Sequence, residues 1–584
     1  MPALDRAALA LWIGLAALAL ARLVLGFVPG MWAWGLNLHR FLSPALAWLP
    51  WAAGAAALLP PLARRIEPAF ARLGDAIARG SALPTLACAA AAALLVWLLQ
   101  DRARFVGDFL IRQGTVEEGI RPAAVWPQAL PLDVLLHYTL PLALANAGWT
   151  DANGAARLLG AAEAALLALV ALAFARALAL RGPAALAAAA VAFFGGALGL
   201  LTGYSKAFAE MAVLTAANAA FGIALIREGR GLLPLGAAVA VGLALHRSAL
   251  GFVPALVLAW GLSLGGAGRA RWREPRVLAS LALPLAALAV MGPRIVSVAR
   301  RFDPTHFASA EVMAQGGVWK AAFAGSRPAD MLGLVTALSP LAVLVPALAL
   351  ARGLPRAREA LFLAVLALPF VAVTPFLHPS GGLLRDWDDF AAMGAALSML
   401  TAWLVAETLR GTTRPWLGVA VALAVAGPAL QWLAHPTDVD RGIARALAAV
   451  NEPPARAGPE RASIWDYLGT RNYQLERWRA SADAFRHAVE TAPSARMLQQ
   501  WALAATMAGD LATAVEAYHR QLAKEPDSYS GWMGLAAVTS RIPDFAECRR
   551  ALNRLLELKP GDPEATSLLH ALDEEEARRA RGGE

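Results

Sequence analysis

Ionisable residues stand at the ends of long apolar runs, where a bilayer would meet water. Gly107 and Asp108 follow closely after an apolar run that ends at residue 100. An ionisable group near a membrane boundary is a functional candidate, because burying it there is costly. Asp108 at this depth suits a general base acting on a substrate whose lipid tail stays in the bilayer. Arg112 and Glu117 continue the segment as candidates for substrate binding, or else belong to a solvated loop with surface ion pairs.

A carboxylate and an imidazole follow in the same segment. Asp133 and His137 are four residues apart, so they share one face of a helix. A carboxylate can orient an imidazole, as it does in general-base pairs. Both residues are therefore candidates for substrate binding. The alternative is an interfacial helix whose polar face meets lipid headgroups.

Cations and a tyrosine mark two further short hairpins between apolar runs. Tyr204 and Lys206 lie in one hairpin, and His246 and Arg247 lie in the next. A single cation at such a place is explained by a side chain that reaches toward the headgroups. Several cations facing one region would instead bind phosphate. All four residues are candidates for substrate binding.

The segment HPSGGLLRDWDDF, residues 378–390, precedes another apolar run and holds three carboxylates within four positions. One aspartate can cap a helix, but capping hardly explains three. The others could bind a cation, pair with Arg247 or Arg385, or hold a sugar hydroxyl. The candidates in this segment are His378, Arg385, Asp386 and Asp388. No ligand spacing supports a metal site on the two aspartates. We therefore predict no cofactor and leave a divalent cation open.

The elements that position these residues are apolar segments. The 584 residues are 58% hydrophobic and only 16% charged, with a mean hydropathy of +0.51. A bilayer-crossing helix needs roughly 20 mostly apolar residues. We predict a polytopic transmembrane helix bundle over residues 1–435 with about thirteen spans, near 7–28, 42–62, 83–100, 155–175, 184–202, 207–226, 232–246, 249–265, 277–292, 331–350, 360–377, 390–407 and 416–434.

Basic residues concentrate in every second connection between these runs. Short loops rich in Lys and Arg favour the cytoplasm, which predicts a cytoplasmic N-terminus in the inner membrane. The first run is interpreted as a retained anchor. Residues 1–435 carry 33 Lys+Arg against 21 Asp+Glu, so the basic excess belongs to membrane loops and nucleic acid is not an expected partner. The longest outer loop is then 101–154, with interfacial helices.

Three helical repeats follow the last apolar run. After a linker at 436–461, residues 462–581 place Pro493, Pro526 and Pro560 at spacings of 33 and 34. Trp465 and Phe485 stand where the tetratricopeptide (TPR) pattern wants aromatics. One helical hairpin cannot bury its apolar face alone, so the fold class is all-α, with an α-solenoid of about three repeats and a cap helix. The solenoid could bind a peptide or partner, or act as a spacer.

Several enzyme classes lose support. The chain lacks GxxxxGK[ST], GxGxxG, HExxH and GxSxG motifs in suitable contexts. Nucleotide hydrolysis, dinucleotide redox chemistry, zinc proteolysis and serine hydrolysis are therefore not expected.

Taken together, the spans, sidedness and outer loops resemble the polytopic glycosyltransferases of the C superfamily, which take sugars from polyprenyl-phosphate carriers. The chain also resembles the bacterial and eukaryotic members of that superfamily that carry C-terminal TPR repeats. The resemblance implies that Asp108 is the base for inverting attack by an acceptor hydroxyl, while Lys206, Arg247 and Arg385 hold the donor phosphate. The superfamily usually places its acidic loop after the first span, whereas here it follows the third.

That resemblance implies transfer of a hexose or pentose on the extracytoplasmic face. The acceptor would be a protein or glycan, which the TPR domain could bind. Two other classes stay open: a non-catalytic membrane scaffold or transporter, and an O-antigen ligase or polymerase. A transporter would line a midplane path with its ionisable residues. Here they gather at predicted helix ends.

Overall fold

The fold is entirely helical over the residues described. A computed structural model describes residues 3–264, 274–352, 357–542 and 544–582, and this part of the chain contains no strand. The all-α class is therefore confirmed. The chain divides into two compact units, Met1–Arg445 and Ala446–Glu584.

The first unit is a bundle of long apolar helices joined by short helical turns. Its helices are α1 (Ala3–Leu25), α2 (Pro44–Ala57), α3 (Pro60–Arg79), α4 (Ala82–Leu98), α5 (Phe109–Glu117), α6 (Pro122–Val125), α7 (Pro131–Val134), α8 (Leu140–Asn146), α9 (Ala152–Ala177), α10 (Gly182–Phe193), α11 (Phe208–Glu228), α12 (Leu232–Leu245), α13 (Val253–Leu264), α14 (Pro275–Arg301), α15 (Pro304–Phe307), α16 (Ala310–Ala314), α17 (Val318–Ala321), α18 (Arg327–Leu338), α19 (Val345–Arg352), α20 (Arg358–Val373), α21 (Gly382–Arg385), α22 (Ala391–Leu409) and α23 (Trp416–Ala434). Helix α24 (Val439–Asn451) follows within the segment expected to be a linker.

Among the described residues, fewer helices are long and apolar enough to span a membrane than the thirteen runs predicted from the sequence. Within the described ranges, six helices are long and apolar enough to cross a membrane, or nine if each of three bent pairs forms one span. Three predicted spans, 83–100, 232–246 and 249–265, correspond to shorter apolar helices, and residue 265 lies outside the described ranges. The polytopic membrane bundle is confirmed, but the count of about thirteen spans is not.

Three predicted spans are bent rather than straight. The axis turns by 95° between α2 and α3, by 60° after α10, and by 112° after α18. Each break coincides with residues that interrupt helices: Pro60 starts α3, Gly195 and Gly196 follow α10, and Pro340 follows α18. Helix α3, assigned to a basic connection, is an amphipathic helix with exposed arginines, the type that lies along a membrane surface.

Small residues let the central helices approach closely. Helix α9 packs on α4, α10 and α11, while α22 packs on α10, α11 and α20. A side chain at Gly160 of α9 would collide with the main-chain carbonyl of Leu201, and one at Gly74 of α3 would collide with that of Gly182. Close packing of main chains through glycine is a standard way to join helices in a bilayer.

The second unit is a series of antiparallel helix pairs. Its helices are α25 (Gly458–Gln474), α26 (Trp478–Thr491), α27 (Ala495–Ala508), α28 (Leu511–Lys524), α29 (Tyr529–Arg541), α30 (Phe545–Leu558) and α31 (Pro563–Gly582). Gly469 of one helix receives the ring of Phe485, which would lie 2.7 Å from an added Cβ, and Gly534 receives Tyr518 in the same way. The predicted solenoid of paired helices is therefore present.

Polar side chains cap five of these helices. The oxygen atoms of Ser494, Asp510, Ser528, Asp544 and Asp562 accept hydrogen bonds from main-chain N–H groups in the first turn of the next helix. Such caps satisfy donors that the helix itself cannot pair, and each contributes about 1 kcal/mol. The short loops of the solenoid thus define where its helices begin.

Candidate active site

The loop after α4 is clamped against the segment before α22. The main-chain N–H of Gly107 donates to the carbonyl of Arg385 (3.0 Å), and the Arg385 guanidinium donates to the carbonyl of Gly107 (3.2 Å). Gly107 has φ +41°, and a Cβ there would lie 2.7 Å from the Tyr204 hydroxyl and 2.9 Å from the Asp388 carboxylate. Only glycine fits this close approach. The clamp places Asp108 at the start of α5.

Lys206 is the centre of a cluster of carboxylates. Its Nζ lies 3.1 Å from Asp108 Oδ2, 3.1 Å from Asp388 Oδ2 and 3.4 Å from Asp389 Oδ1. The Tyr204 hydroxyl donates to Asp388 Oδ2 at 2.6 Å. Asp388 is fully buried, whereas the Asp108 side chain is 42% exposed. Asp108 is therefore the carboxylate of the cluster that a substrate can reach most easily.

The charges of this cluster control its protonation. The Lys206 ammonium lowers the pKa of Asp108 to about 2, against the opposing effect of burial. Burial alone would lower the pKa of Lys206, but the surrounding carboxylates raise it well above its ordinary value. Burial raises the pKa of Asp386 to about 6, and its Oδ2 accepts a hydrogen bond from the Gly381 N–H at 2.7 Å. The free site thus holds an ionised Asp108 and a charged Lys206.

Arg112, on α5, forms a second polar wall. Its guanidinium binds both oxygens of Asp133, at 3.1 and 3.3 Å, and lies 4.1 Å from the centre of the Trp126 ring. The Asp133 carboxylate in turn contacts His137 Nδ1 at 2.8 Å. The contact between Asp133 and His137 that their spacing suggested is present. The Asp133 carboxylate also binds Arg112, so it is shared between the imidazole and the guanidinium.

A third wall is built around Arg247. The predicted alternative, a pairing of Arg247 with the aspartates after residue 385, is wrong, because its guanidinium binds Asp303 Oδ1 at 2.7 and 2.8 Å. The Arg247 guanidinium also lies over the Phe302 ring at 5.5 Å. His246 Nδ1 lies 2.8 Å from the Ser248 hydroxyl. Burial and the neighbouring Arg247 charge lower the pKa of His246 well below its ordinary value, so this imidazole is neutral.

These walls enclose a cavity of about 580 Å³. Seven of the candidate residues line it, namely Asp108, Arg112, Asp133, Lys206, His246, Arg247 and Asp386. The apolar lining comes mainly from α14, α20 and the turn after α12, for example Ile295, Phe370 and Leu250. One cavity therefore has both charged and apolar lining residues.

Six candidate residues do not line the cavity. Tyr204, Arg385 and Asp388 lie behind Asp108, where they hold the loop and Lys206. Glu117 is exposed, because it lies five positions after Arg112 and so faces another side of α5. The main-chain N–H of His378 donates a hydrogen bond to the main-chain carbonyl of His306, with the N and O atoms 2.7 Å apart. His137 lies deeper, behind Asp133.

Sequence reasoning did not identify several residues that complete the site. Trp126, Phe302, Asp303 and His306 line the cavity but were not candidates. Asp303 follows the basic end of α14 and is 56 positions from its partner Arg247. Only the presence of a charged group at the outer end of an apolar run could have marked it.

The aspartates of the segment 378–390 have separate hydrogen-bond partners. Among the described residues, no group of three or more His, Cys, Asp or Glu side chains is arranged to hold a metal ion. Asp386 bonds to the main chain at Gly381, whereas Asp388 bonds to Tyr204 and Lys206. The two aspartates considered for a metal therefore have separate partners, and the lysine ammonium takes the central position.

The chain is similar to solved structures only at low sequence identity and low TM-score. No family model matches the chain, and no curated protein matches it. The crystal structure of ArnT from Cupriavidus metallidurans bound to undecaprenyl phosphate is 15% identical, with a TM-score of 0.37, and the match covers 78% of this chain and 81% of that chain. A structure of the APC/C hetero-tetramer Cut9-Hcn1 is 12% identical, with a TM-score of 0.19, and the match covers 63% of this chain and 92% of that chain.

Both TM-scores lie below 0.5. The chain itself joins a polytopic membrane bundle, which holds a charged cavity, to a solenoid of paired helices.

Proposed function

We propose that the first unit is a membrane glycosyltransferase that moves a sugar from a polyprenyl-phosphate-linked donor to an acceptor hydroxyl. The observation that carries the proposal is the placement of Asp108: a half-exposed carboxylate bonded to Lys206 in a cavity with both charged and apolar lining residues. A base next to a cation is the pair that such a transfer requires, one for the hydroxyl proton and one for the phosphate.

The mixed lining of the cavity supports a lipid-linked donor. Lys206, Arg112 and Arg247 present positive charge to the cavity, while Ile295 and Phe370 belong to its apolar lining. A soluble nucleotide sugar would gain little from the apolar lining, whereas a prenyl chain would bury methylene groups there at about 0.8 kcal/mol each. The charged lining residues would then receive the phosphate and the sugar.

The reaction follows from these positions. Asp108 takes the proton of the acceptor hydroxyl while the oxygen of that hydroxyl bonds to the anomeric carbon of the sugar. The bond from the anomeric carbon to the phosphate oxygen breaks at the same time. The electron pair stays on the leaving polyprenyl phosphate, whose charge Lys206 balances. Interactions that strengthen as this charge develops are those that accelerate the chemical step.

The Lys206–Asp108 ion pair links donor binding to the activity of the base. With a pKa of about 2, the Asp108 carboxylate of the free site is a weak base. A phosphate that accepts a hydrogen bond from Lys206 would share the ammonium and thereby raise the pKa of Asp108 toward its ordinary value. The carboxylate would become a better base once the donor is in place.

The remaining assignments complete the proposal. The first unit would lie in the cytoplasmic membrane with its N-terminus inside, and the cavity and solenoid would lie on the extracytoplasmic side. The solenoid would bind the acceptor, a protein or a glycan, or a partner protein. The antiparallel helix pairs support this role because such arrays present extended binding surfaces.

Substituting Asp108 by Asn tests the catalytic role. The full-length chain in lipid nanodiscs would be given undecaprenyl-phosphate-linked hexoses and pentoses with membrane extracts as the acceptor source, and release of undecaprenyl phosphate would be measured. We expect the Asp108→Asn rate to fall by about 100-fold or more, because the amide accepts no proton. Glu118→Gln is the matched control, since Glu118 is exposed and outside the cavity. Transfer at the wild-type rate by the Asp108→Asn variant would exclude the proposed base.

A further inference from the structure

A row of alternating charges runs from the cavity to the first turn of α11. It begins with Arg112, which binds both oxygens of Asp133. Asp133 Oδ1 lies 2.8 Å from His137 Nδ1, and His137 Nε2 lies 3.0 Å from Glu210 Oε1. The side chains of Arg112, Asp133 and His137 are at most 3% exposed. Water therefore cannot replace a missing partner within this row.

The geometry favours a positively charged imidazole at the centre of the row. His137 Nδ1 is hydrogen-bonded to Asp133, whereas Nε2 lies 3.0 Å from Glu210 Oε1 as an ion-pair contact without hydrogen-bond geometry. Carboxylate oxygens do not donate hydrogen bonds, so a neutral imidazole would turn an acceptor nitrogen toward one of them, while the imidazolium presents positive charge to both. Burial alone would lower the pKa of His137, but Glu210 and Asp133 outweigh it and raise the pKa to about 9.

The row joins the two elements that carry the cavity's neighbouring cations. Glu210 lies on α11, four residues after Lys206, while Arg112 lies on α5, four residues after Asp108. Lys206 and Arg112 both line the cavity. The Arg112 Nε atom is buried without a hydrogen-bond partner, so Asp133 and the Trp126 ring orient its guanidinium.

We propose that His137 is a positioning residue, which ties Asp133 to Glu210 and so holds Arg112 in register with Lys206 for binding of the donor phosphate. This inference rests on the proposed function. His137 does not line the cavity, so its effect on the substrate passes through Arg112. Asp133 and Glu210 face the imidazole; Arg112 lies beyond Asp133, Glu163 lies beside Glu210, and the neutral His246 lies on the Asp133 side.

Binding of undecaprenyl phosphate without any sugar tests the proposal on the full-length chain in nanodiscs. His137→Gln removes the positive charge between Asp133 and Glu210, and the amide oxygen of glutamine can donate a hydrogen bond to neither carboxylate. We expect the affinity of the folded variant to fall by about tenfold or more. His519→Gln, which changes an exposed imidazole of the second unit, is the matched control and should bind as the wild type does. Unchanged affinity in folded His137→Gln would overturn the proposal.

The pH dependence of the same binding separates positioning from a general loss of stability. Below about pH 9 the imidazolium holds both carboxylates, and above it one contact is lost. Wild-type affinity should therefore fall as the pH rises through about 9, and His137→Gln should lack this step.

Glu210→Gln keeps the proposal testable if His137→Gln fails to fold. Removing the Glu210 charge lowers the pKa of His137, so the fall in affinity should move to lower pH. An unchanged midpoint in this variant would contradict the proposal. If the wild type binds undecaprenyl phosphate but transfers no sugar, only the proposed glycosyltransferase function is wrong. If it does not bind undecaprenyl phosphate, both that function and the positioning role of His137 are wrong.

Discussion

At the scale of single residues, the site depends on how one lysine is shared. Lys206 contacts three carboxylates, of which Asp389 has a pKa that burial raises well above its ordinary value. An anionic donor would meet repulsion there unless it took over part of the lysine's hydrogen bonding. Asp388 and Tyr204 are buried and bonded to each other. Asp108 is therefore the partner that a phosphate would displace.

Gly107 is the residue on which this arrangement depends most directly. We expect Gly107→Ala to destabilise the fold by about 1–3 kcal/mol and to abolish transfer, because its Cβ would press on Tyr204 and Asp388 at positive φ. Thermal unfolding and undecaprenyl phosphate release would be measured together. Gly119→Ala is the control, since Gly119 also has positive φ but nothing lies within 4 Å of an added Cβ. Equal losses in both variants would show that backbone strain, and not the contact, matters.

At the scale of elements, interrupted helices create the site. The break after α10 leads the chain into the turn that carries Tyr204 and Lys206, and the segment 378–390 returns to meet it before α22. The long helices behind these turns hold them in place through close packing. Helix α9 contacts both α11 and the turn that ends at Thr202.

Gly160 tests whether that close packing supports the site. Gly160→Ala would force α9 away from the carbonyl of Leu201, and we expect the free energy of unfolding to fall by about 1–3 kcal/mol. Gly261→Ala is the matched control, because an added Cβ in α13 meets nothing within 4 Å. That change should be neutral or stabilising by up to about 1 kcal/mol, since alanine favours helix. Equal stability of the two variants in thermal unfolding would contradict the packing argument.

At the scale of the whole molecule, the two units have separate cores. The core of the solenoid is drawn from residues between Phe485 and Leu572, including Trp501, Tyr518 and Leu535. Helices of a TPR array contact mainly their neighbours, so such an array needs little beyond itself to fold.

We therefore expect residues 446–584 to fold when expressed alone. Circular dichroism should show a helical spectrum and a cooperative thermal transition. Within this fragment, Gly534→Val should lower the transition temperature, because the added side chain would collide with the Tyr518 ring. An unfolded wild-type fragment would show that the solenoid requires the membrane unit.

The sequence by itself was enough to predict the helical class, the membrane bundle and the paired helices of the solenoid. Each of these depends on local periodicity and composition, which are read along the chain. The same local logic marked Asp108, Lys206 and Arg247 as charges at the ends of apolar runs. The count of about thirteen spans is not confirmed, because some of the predicted runs are bent helix pairs and others are shorter apolar helices among the described residues. Hydropathy along the chain does not show where a helix bends or ends.

Only the tertiary structure decided which of these charges meet. Arg247 pairs with Asp303, which lies 56 positions further along the chain. Lys206 contacts three aspartates, and two of them, Asp388 and Asp389, lie 182 and 183 positions away. Glu117 and His378 do not line the cavity. The rotation of α5 turns Glu117 away, and the path of the segment 378–390 places His378 elsewhere; both depend on tertiary packing. Hydropathy predicts how deep a residue lies along the membrane normal, whereas its neighbours depend on which helices pack together.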